Sequence, residues 1–598
     1  LKVVEDIHRT IVPKDELSAA KMQKGEVLND INVILISIDA LRADALGCYG
    51  YNKATSPFID NLSKNSILFK YAFTAAPWTL PAHTSMLTGV LPSGHGVGYH
   101  NYTIPLAKID DATSTLSEIL QKHGIHTTAF VNASHVSAMW GLDKGFDNWT
   151  ESFSYDVNNV LEAESSVQRA SIIRRDINRW LTEDPMIQKA FFMFVHFWAP
   201  HDPYQPLNSD LTTLMKESKS YNFPFDNDSI DYSETCKDTG PRPNKGGCNM
   251  ESVRSSLNGL KKYRTLYDAE IRSVDEQVKA IVERLKELSL IEKTIIIITS
   301  DHGEAFGEHN SFHHGRTSFN EIVRVPLIIY LPPEIRRLKN TLTVSHPVST
   351  VSLPATILSL FGIKDDVYPD VNSLSNITND APVIIENYQA GQGEVSFTKK
   401  GFYLTKTLVR NNYKYIYYWA EGYEELYDYI NDPNEIKELI ASDYKKVGNV
   451  VKGFRKLLDK QILSSENSWI FRWNPGKERI RYVKISSHSI ILPEFVLMTR
   501  SSLNSCGKIE QSVDSKTLDI QFCSDVDSAS TLTFRTLDHD SPLEVTIDDM
   551  PDKIKLGNKY VSTNGKKVMT LSPKDLSVNT TFQDKTKSLH IYHVGEGH

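Results

Sequence analysis

Two runs of almost unbroken β-branched residues constrain this chain more than any other feature. Ile31-Asn32-Val33-Ile34-Leu35-Ile36-Ser37-Ile38 ends at Asp39, and Thr294-Ile295-Ile296-Ile297-Ile298-Thr299-Ser300 ends at Asp301-His302-Gly303-Glu304. Branched side chains suit extended backbone, and a strand apolar at nearly every position has to be covered on both faces. Such strands belong in the middle of a parallel sheet. A third run, Phe191-Phe192-Met193-Phe194-Val195-His196-Phe197, leads into Trp198-Ala199-Pro200-His201-Asp202-Pro203-Tyr204. Open α/β sheets bind ligands beyond the carboxyl ends of their strands, so Asp39, Asp301, His302 and His201 are expected at one sheet edge.

The rest of the chain alternates in the same sense. A strand is predicted at 125–131, helices at 166–182 and 262–289, a strand at 325–331 and a helix beginning near Ser352. This predicts a doubly wound, mostly parallel α/β domain over 31–375. Residues 205–255, rich in Ser, Asn, Asp and Pro, read as an insertion. Residues 376–465 predict a small α+β subdomain: antiparallel strands at Gly401–Thr407, Tyr413–Trp419 and Glu425–Tyr429, then a helix from Asp443 to Leu463. From 475 to 598 short β segments between turns predict an appended β-sandwich-like domain. Residues 1–30 read as an N-terminal arm, or as a stalk following a membrane anchor.

Two carboxylates brought together in an apolar setting repel each other unless a cation lies between them. Asp39, Asp301 and His302 therefore form a candidate metal site. Thr79 stands in Pro77-Trp78-Thr79-Leu80-Pro81-Ala82-His83, a loop turning into a helix with Pro81 in the first turn. Taken alone, Thr79 reads as an N-cap. Beside a metal and a helix N-terminus, its hydroxyl is placed to be stabilised as an alkoxide facing an anionic ester. The cluster His309, His313, His314, Gly315 and Arg316 follows downstream.

These segments resemble the sulfatase family of the alkaline phosphatase-like superfamily. The matching stretches are Ile38-Asp39-Ala40-Leu41-Arg42-Ala43-Asp44, Gly47-Cys48-Tyr49-Gly50-Tyr51, the Thr79 loop through Gly89, Leu91-Pro92-Ser93-Gly94-His95-Gly96, Pro200-His201-Asp202-Pro203-Tyr204, Ser300-Asp301-His302-Gly303-Glu304 and Glu425-Leu426-Tyr427-Asp428. The resemblance spans 31 to about 460. It implies one divalent metal, calcium, magnesium, manganese or zinc, held by Asp39, Thr79, Asp301 and His302. Ala40 stands where many sulfatases have a second aspartate. It also implies Thr79 as nucleophile, with His201 and His314 at the reacting ester. His83, Arg42 and Arg316 are the candidate anion contacts, although each arginine could equally be a surface charge or a salt-bridge partner.

One departure stands out. Most sulfatases carry Cys or Ser in a Cys-x-Pro-Ser-Arg motif, and that residue is oxidised to formylglycine. Here the positions read Thr79-Leu80-Pro81-Ala82-His83. Threonine cannot supply the aldehyde, and it resembles the nucleophile of phosphodiesterase and phosphoethanolamine transferase relatives. A phosphothreonine can be resolved by water or an acceptor alcohol. The expected activity is thus hydrolysis or transfer of phosphoester, phosphodiester or phosphonate groups. Sulfate ester hydrolysis without formylglycine is the alternative, and a non-catalytic glycan-binding relative the second. Substrates of small-molecule, lipid-headgroup or glycan type all fit.

Composition narrows the partners. A chain of 598 residues exceeds one ordinary core, and a formal charge of −8 leaves no basic footprint for nucleic acid. Cys236 with Cys248, and Cys506 with Cys523, read as disulfides and imply an extracytoplasmic location. Cys48 is left over and expected in the interior.

Overall fold

The computed structural model describes residues 31–97, 108–152, 166–217, 257–332, 342–363, 373–374, 377, 381–388, 404–418 and 423–463, and then eleven strands between Trp469 and His593. The N-terminal arm, most of the 205–255 insertion, and Cys236, Cys248, Cys506 and Cys523 lie outside the described residues. The chain divides into two compact units, the first running to Ile385 and the second from Glu386.

The first unit is built on an eight-stranded sheet. Its strands are β1 (Asn32–Ile38), β2 (Ser66–Phe69), β3 (His126–Val131), β4 (Asn148–Glu151), β5 (Phe191–Phe197), β6 (Thr294–Thr299), β7 (Leu327–Tyr330) and β8 (Leu342–Val344), ordered β8-β2-β7-β6-β1-β5-β3-β4. The three apolar runs are therefore neighbours at the centre, and every residue of β1, β5 and β6 is buried. All pairs are parallel except those of β7, which runs antiparallel to β6 and β2. The strand predicted over 325–331 is split at Pro326, which lacks the N–H a ladder needs. Arg324–Val325 pair instead with Ala72–Phe73 in a small separate sheet.

Helices cover both faces. On one side α1 (Pro57–Ser63), α4 (Ser166–Glu183), α5 (Asn208–Glu217) and α6 (Leu257–Glu287) pack together, and their apolar stripes join Ile34, Ile36, Met193, Val195, Ile296 and Ile298 in one core. On the other side lie α2 (Thr79–Thr88), α3 (Leu116–Lys122) and α7 (Leu353–Leu360). Strand side chains alternate between faces. The α2 side therefore receives Leu35 and Ser37 from β1, Phe194 and His196 from β5, and Ile297 and Thr299 from β6.

From the end of the first unit onward, β9 (Val383–Tyr388), β10 (Leu404–Arg410), β11 (Tyr413–Tyr418) and β12 (Tyr423–Asp428) form a four-stranded sheet in that order, and α8 (Leu439–Leu463) packs on β12. α8 is interrupted at Asp443 (φ −151°, ψ 41°), the residue at which the sequence predicts the helix to begin. Lys414 and Glu435 form a fully buried ion pair of 2.6 Å behind β11. The strands from Trp469 onward make a six-stranded and a five-stranded sheet, antiparallel except where 553–556 meets 590–593.

Candidate active site

Strand register sets the site. Ser37 of β1 lies opposite Thr299 of β6, so Asp39 and Asp301, each two residues further on, emerge side by side. Ala40 then takes a left-handed conformation (φ 56°), which costs an L-residue about 1 kcal/mol. The turn aims its N–H at Asp301 Oδ1 (3.2 Å), while its carbonyl accepts from Tyr267 Oη (2.8 Å). The His302 N–H also donates to Asp301 Oδ1 (2.9 Å). Gly303 follows because no side chain fits: a Cβ there would stand 2.2 Å from the Glu321 carbonyl oxygen. Its own carbonyl accepts from His302 Nδ1 at 2.8 Å. A carbonyl only accepts, so Nδ1 carries the proton and Nε2 keeps a lone pair.

That lone pair faces a converging set of oxygens. His302 Nε2 is 3.4 Å from Asp39 Oδ1, 3.3 Å from Asp301 Oδ2 and 3.2 Å from Thr79 Oγ1. Asp39 Oδ1 and Asp301 Oδ2 are buried without any hydrogen-bond donor. Burial, and then the neighbouring Asp301, drive the Asp39 carboxyl well above its usual range. Two such oxygens beside an unprotonated imidazole nitrogen, with the three ligand atoms within 4.8 Å of one another, fit a divalent cation.

Thr79 is the first residue of α2. The capping position belongs to Trp78, in extended backbone (φ −157°, ψ 162°) and with no side-chain cap. The hydroxyl of Thr79 is therefore not spent on capping and points to His302. Every residue of α2 is buried, so the nucleophile candidate rests on a helix held on all sides.

Two further imidazoles border the cluster. His314 lies 4.1 Å from His302 and 4.9 Å from His201, ring centre to ring centre. Burial opposes charging His201, but Asp39 and Glu304 outweigh it and its pKa is raised. Burial, then His201, hold His314 well below the usual range. Its Nδ1 lies 3.2 Å from Glu304 Oε1, and Tyr204 donates to Glu304 Oε2 at 3.2 Å. Neighbouring groups with opposed tendencies are suited to donate and to accept a proton.

Two of the anticipated anion contacts are placed otherwise. Arg42 is buried and grips Asp44 with Nε (2.8 Å) and Nη2 (2.7 Å), while Nη1 donates to the Glu304 carbonyl (2.9 Å) and to Glu308 (2.7 Å). Its donors are taken up inside the protein, so it braces the loop after β6. His83 is fully buried under Thr79. Its Nδ1 donates to the Thr79 carbonyl (2.9 Å) and its Nε2 meets Ser37 Oγ (3.0 Å), while burial lowers its pKa to about 4. A neutral ring engaged at both nitrogens does not replace an anion-binding arginine. Arg316 is exposed just beyond His314. Cys48, expected inside, is half-buried and free.

Glu304 and His196 belong to the site although sequence reasoning did not single them out. The signal for His196 was present: Ser37, His196 and Thr299 are the polar residues that share one row across three otherwise apolar strands.

The Sulfatase family profile matches residues 31–363, more than half of the chain. The chain belongs to the sulfatase family. Among its sulfatase relatives, the Escherichia coli (strain K12) protein YidJ, described as an uncharacterized sulfatase, is 25% identical over 440 residues, 68% of this chain and 83% of the relative. An arylsulfatase of Clostridium perfringens (strain 13 / Type A) is 23% identical over 491 residues, 73% of this chain and 95% of the relative. A solved 2-O GAG sulfatase shares the fold at a TM-score of 0.56 and 19% identity, over 73% of this chain and 92% of that one. The phosphonate monoester hydrolase of Agrobacterium radiobacter shares it at a TM-score of 0.52 and 19% identity, over 72% and 95%. The sulfatase-family chain is thus an ester hydrolase by kinship, with a mixed, mostly parallel central sheet and a small antiparallel one.

Proposed function

We propose that this protein hydrolyses sulfate monoesters of carbohydrates, with Thr79 as the attacking group at a one-metal site. The observation that carries the reading is the convergence of Thr79 Oγ1, Asp39 Oδ1 and Asp301 Oδ2 on His302 Nε2 in a chain of this family. Asp39, Asp301, His302 and Thr79 would hold a divalent cation, which when bound would supply Lewis acidity at the Thr79 hydroxyl and at the ester oxygens. His314, kept neutral, takes the Thr79 proton as Oγ1 bonds to sulfur. His201 gives its proton to the departing sugar oxygen as the S–O bond breaks. Water then displaces threonine from sulfur, passing a proton to His201, and His314 returns its proton to Thr79. The exposed Arg316 is the remaining candidate contact for the anionic group. The carbohydrate assignment is supported by relatives such as the 2-O GAG sulfatase.

One observation favours phosphorus. A threonine sulfate cannot collapse to an aldehyde, so displacement at sulfur is required, whereas the same step at phosphorus is easier. The sulfate arylester of 4-nitrophenol, its phosphate mono- and diesters and its phenylphosphonate ester, each assayed with Ca2+, Mg2+, Mn2+ and Zn2+, separate the two. The sulfate ester is expected to give the highest kcat/KM. A preference of tenfold or more for a phosphorus ester would replace the sulfate reading.

A further inference from the structure

Beneath the metal-facing atoms lie two histidines from different elements. His83 belongs to α2 and His196 to β5, and their rings meet edge to face at 4.9 Å. Both are fully buried. His83 Nδ1 stands 3.5 Å from Asp301 Oδ2, and His196 Nε2 stands 3.5 Å from Asp39 Oδ2. Each carboxylate thus has its own imidazole.

Hydrogen-bond partners settle the tautomer of His83. His83 Nδ1 faces only acceptors, the Thr79 carbonyl and Asp301, so it carries the proton, and Nε2 accepts from the Ser37 hydroxyl. His196 Nε2 stands beside the Asp39 carboxylate, whose charge favours a proton on that nitrogen. Neither nitrogen of His196 has a hydrogen bond by ordinary geometry. An imidazole buried in that condition is costly, and Phe194, on the same face of β5 and against the His83 ring, shows that an apolar side chain packs on this face. Its place in the row is explained by Asp39.

We propose that His83 and His196 are positioning residues that form a neutral floor to the metal site, each setting a ring nitrogen 3.5 Å from one of its two carboxylates, near enough for its N–H dipole to steady that carboxylate without a formed hydrogen bond. An N–H dipole steadies a carboxylate without adding a cation that would repel the metal. An arginine at 83 would add one within a few ångströms. His83 also binds the backbone of Thr79, so one ring fixes both the nucleophile's helix and Asp301. The inference concerns how these carboxylates are held and is independent of which ester is cleaved.

The test measures Mn2+ binding to the full chain by calorimetry and by electron paramagnetic resonance. His83→Ala and His196→Phe remove the donor, while His83→Asn and His196→Gln keep an N–H near the Nδ1 and Nε2 positions. Removing the donor is expected to weaken Mn2+ binding roughly 10- to 100-fold and to alter the bound-Mn2+ spectrum, and the donor-keeping variants to stay within about threefold of wild type. Folded His83→Ala and His196→Phe proteins with wild-type affinity and spectrum would overturn the inference. Should either fail to fold, the donor-keeping pair decides: near-wild-type affinity supports the floor, and a loss of tenfold or more overturns it. Wild-type protein that binds no Mn2+ would instead overturn the metal site itself.

Discussion

Thr79 shows how much one side chain decides. Its backbone opens α2, yet the cap is Trp78, which leaves the hydroxyl 3.2 Å from His302. Thr79→Ala should fold, because the residue makes no cap and its helix is buried on every side. Its kcat should fall on the order of 10^3-fold or more, since the covalent route is gone. Thr79→Ser keeps a hydroxyl and should retain part of the rate. Acid-quenched turnover followed by peptide mass analysis should find the ester on the residue-79 peptide of wild type and not on that of Thr79→Ala. Near-wild-type turnover by Thr79→Ala would reassign the nucleophile. The departure at this position was visible in the sequence, because a β-branched alcohol cannot become an aldehyde. What His83 and Arg42 do was not. Arg42 meets Glu304 and Glu308, 262 and 266 residues away, and nothing local to Arg42 announces those partners.

At the level of elements, the loop after β6 depends on Gly303. A methyl group there meets the Glu321 carbonyl oxygen at 2.2 Å, a backbone atom that cannot rotate aside. Gly303→Ala should therefore displace the loop, weaken the His302 Nδ1 contact to residue 303 and destabilise the protein by roughly 1–3 kcal/mol. Thermal unfolding and Mn2+ affinity should fall together. An unchanged affinity would mean the loop relaxes without moving His302. The strands that carry this loop were legible: β1, β5 and β6 are apolar at nearly every position, and only a doubly covered sheet centre accepts that. β7 was not fully legible, since Pro326 divides an apolar run into pieces of two sheets. The antiparallel direction of β7 is also a matter of how the chain returns, which periodicity does not record. The pairing of Ser37 with His196 and Thr299 needs the register, although aligning the three runs by their polar interruptions would have suggested it.

On the scale of the molecule, the named site residues all belong to the unit that ends at Ile385, and that unit holds the facing carboxylates of Asp39 and Asp301 in its interior. Burial, with Asp301 adding to it, raises the Asp39 pKa above its unfolded value when no cation is present. A raised carboxyl binds more protons folded than unfolded. Its stabilising contribution is present below the unfolded pKa, near 4, and is lost as pH rises through the folded one. Buried His83 and His196, each lowered to about 4 by burial, work in the opposite sense between about 4 and 6.5. A comparison with Asp39→Asn, which mimics the protonated carboxyl, largely removes these shared contributions. In chelator-treated protein, Asp39→Asn should melt close to wild type at the acid end and progressively above it as pH rises. Saturating Mn2+ should then raise the wild-type Tm at pH 8 and leave Asp39→Asn nearly unmoved, because binding stabilises only the fold that can bind. Calorimetry of both proteins from pH 5 to 8, with and without Mn2+, measures each arm. A Tm difference that stays constant with pH would show that Asp39 is not strained by its surroundings, and the electrostatic case for a cation between Asp39 and Asp301 would fall with it.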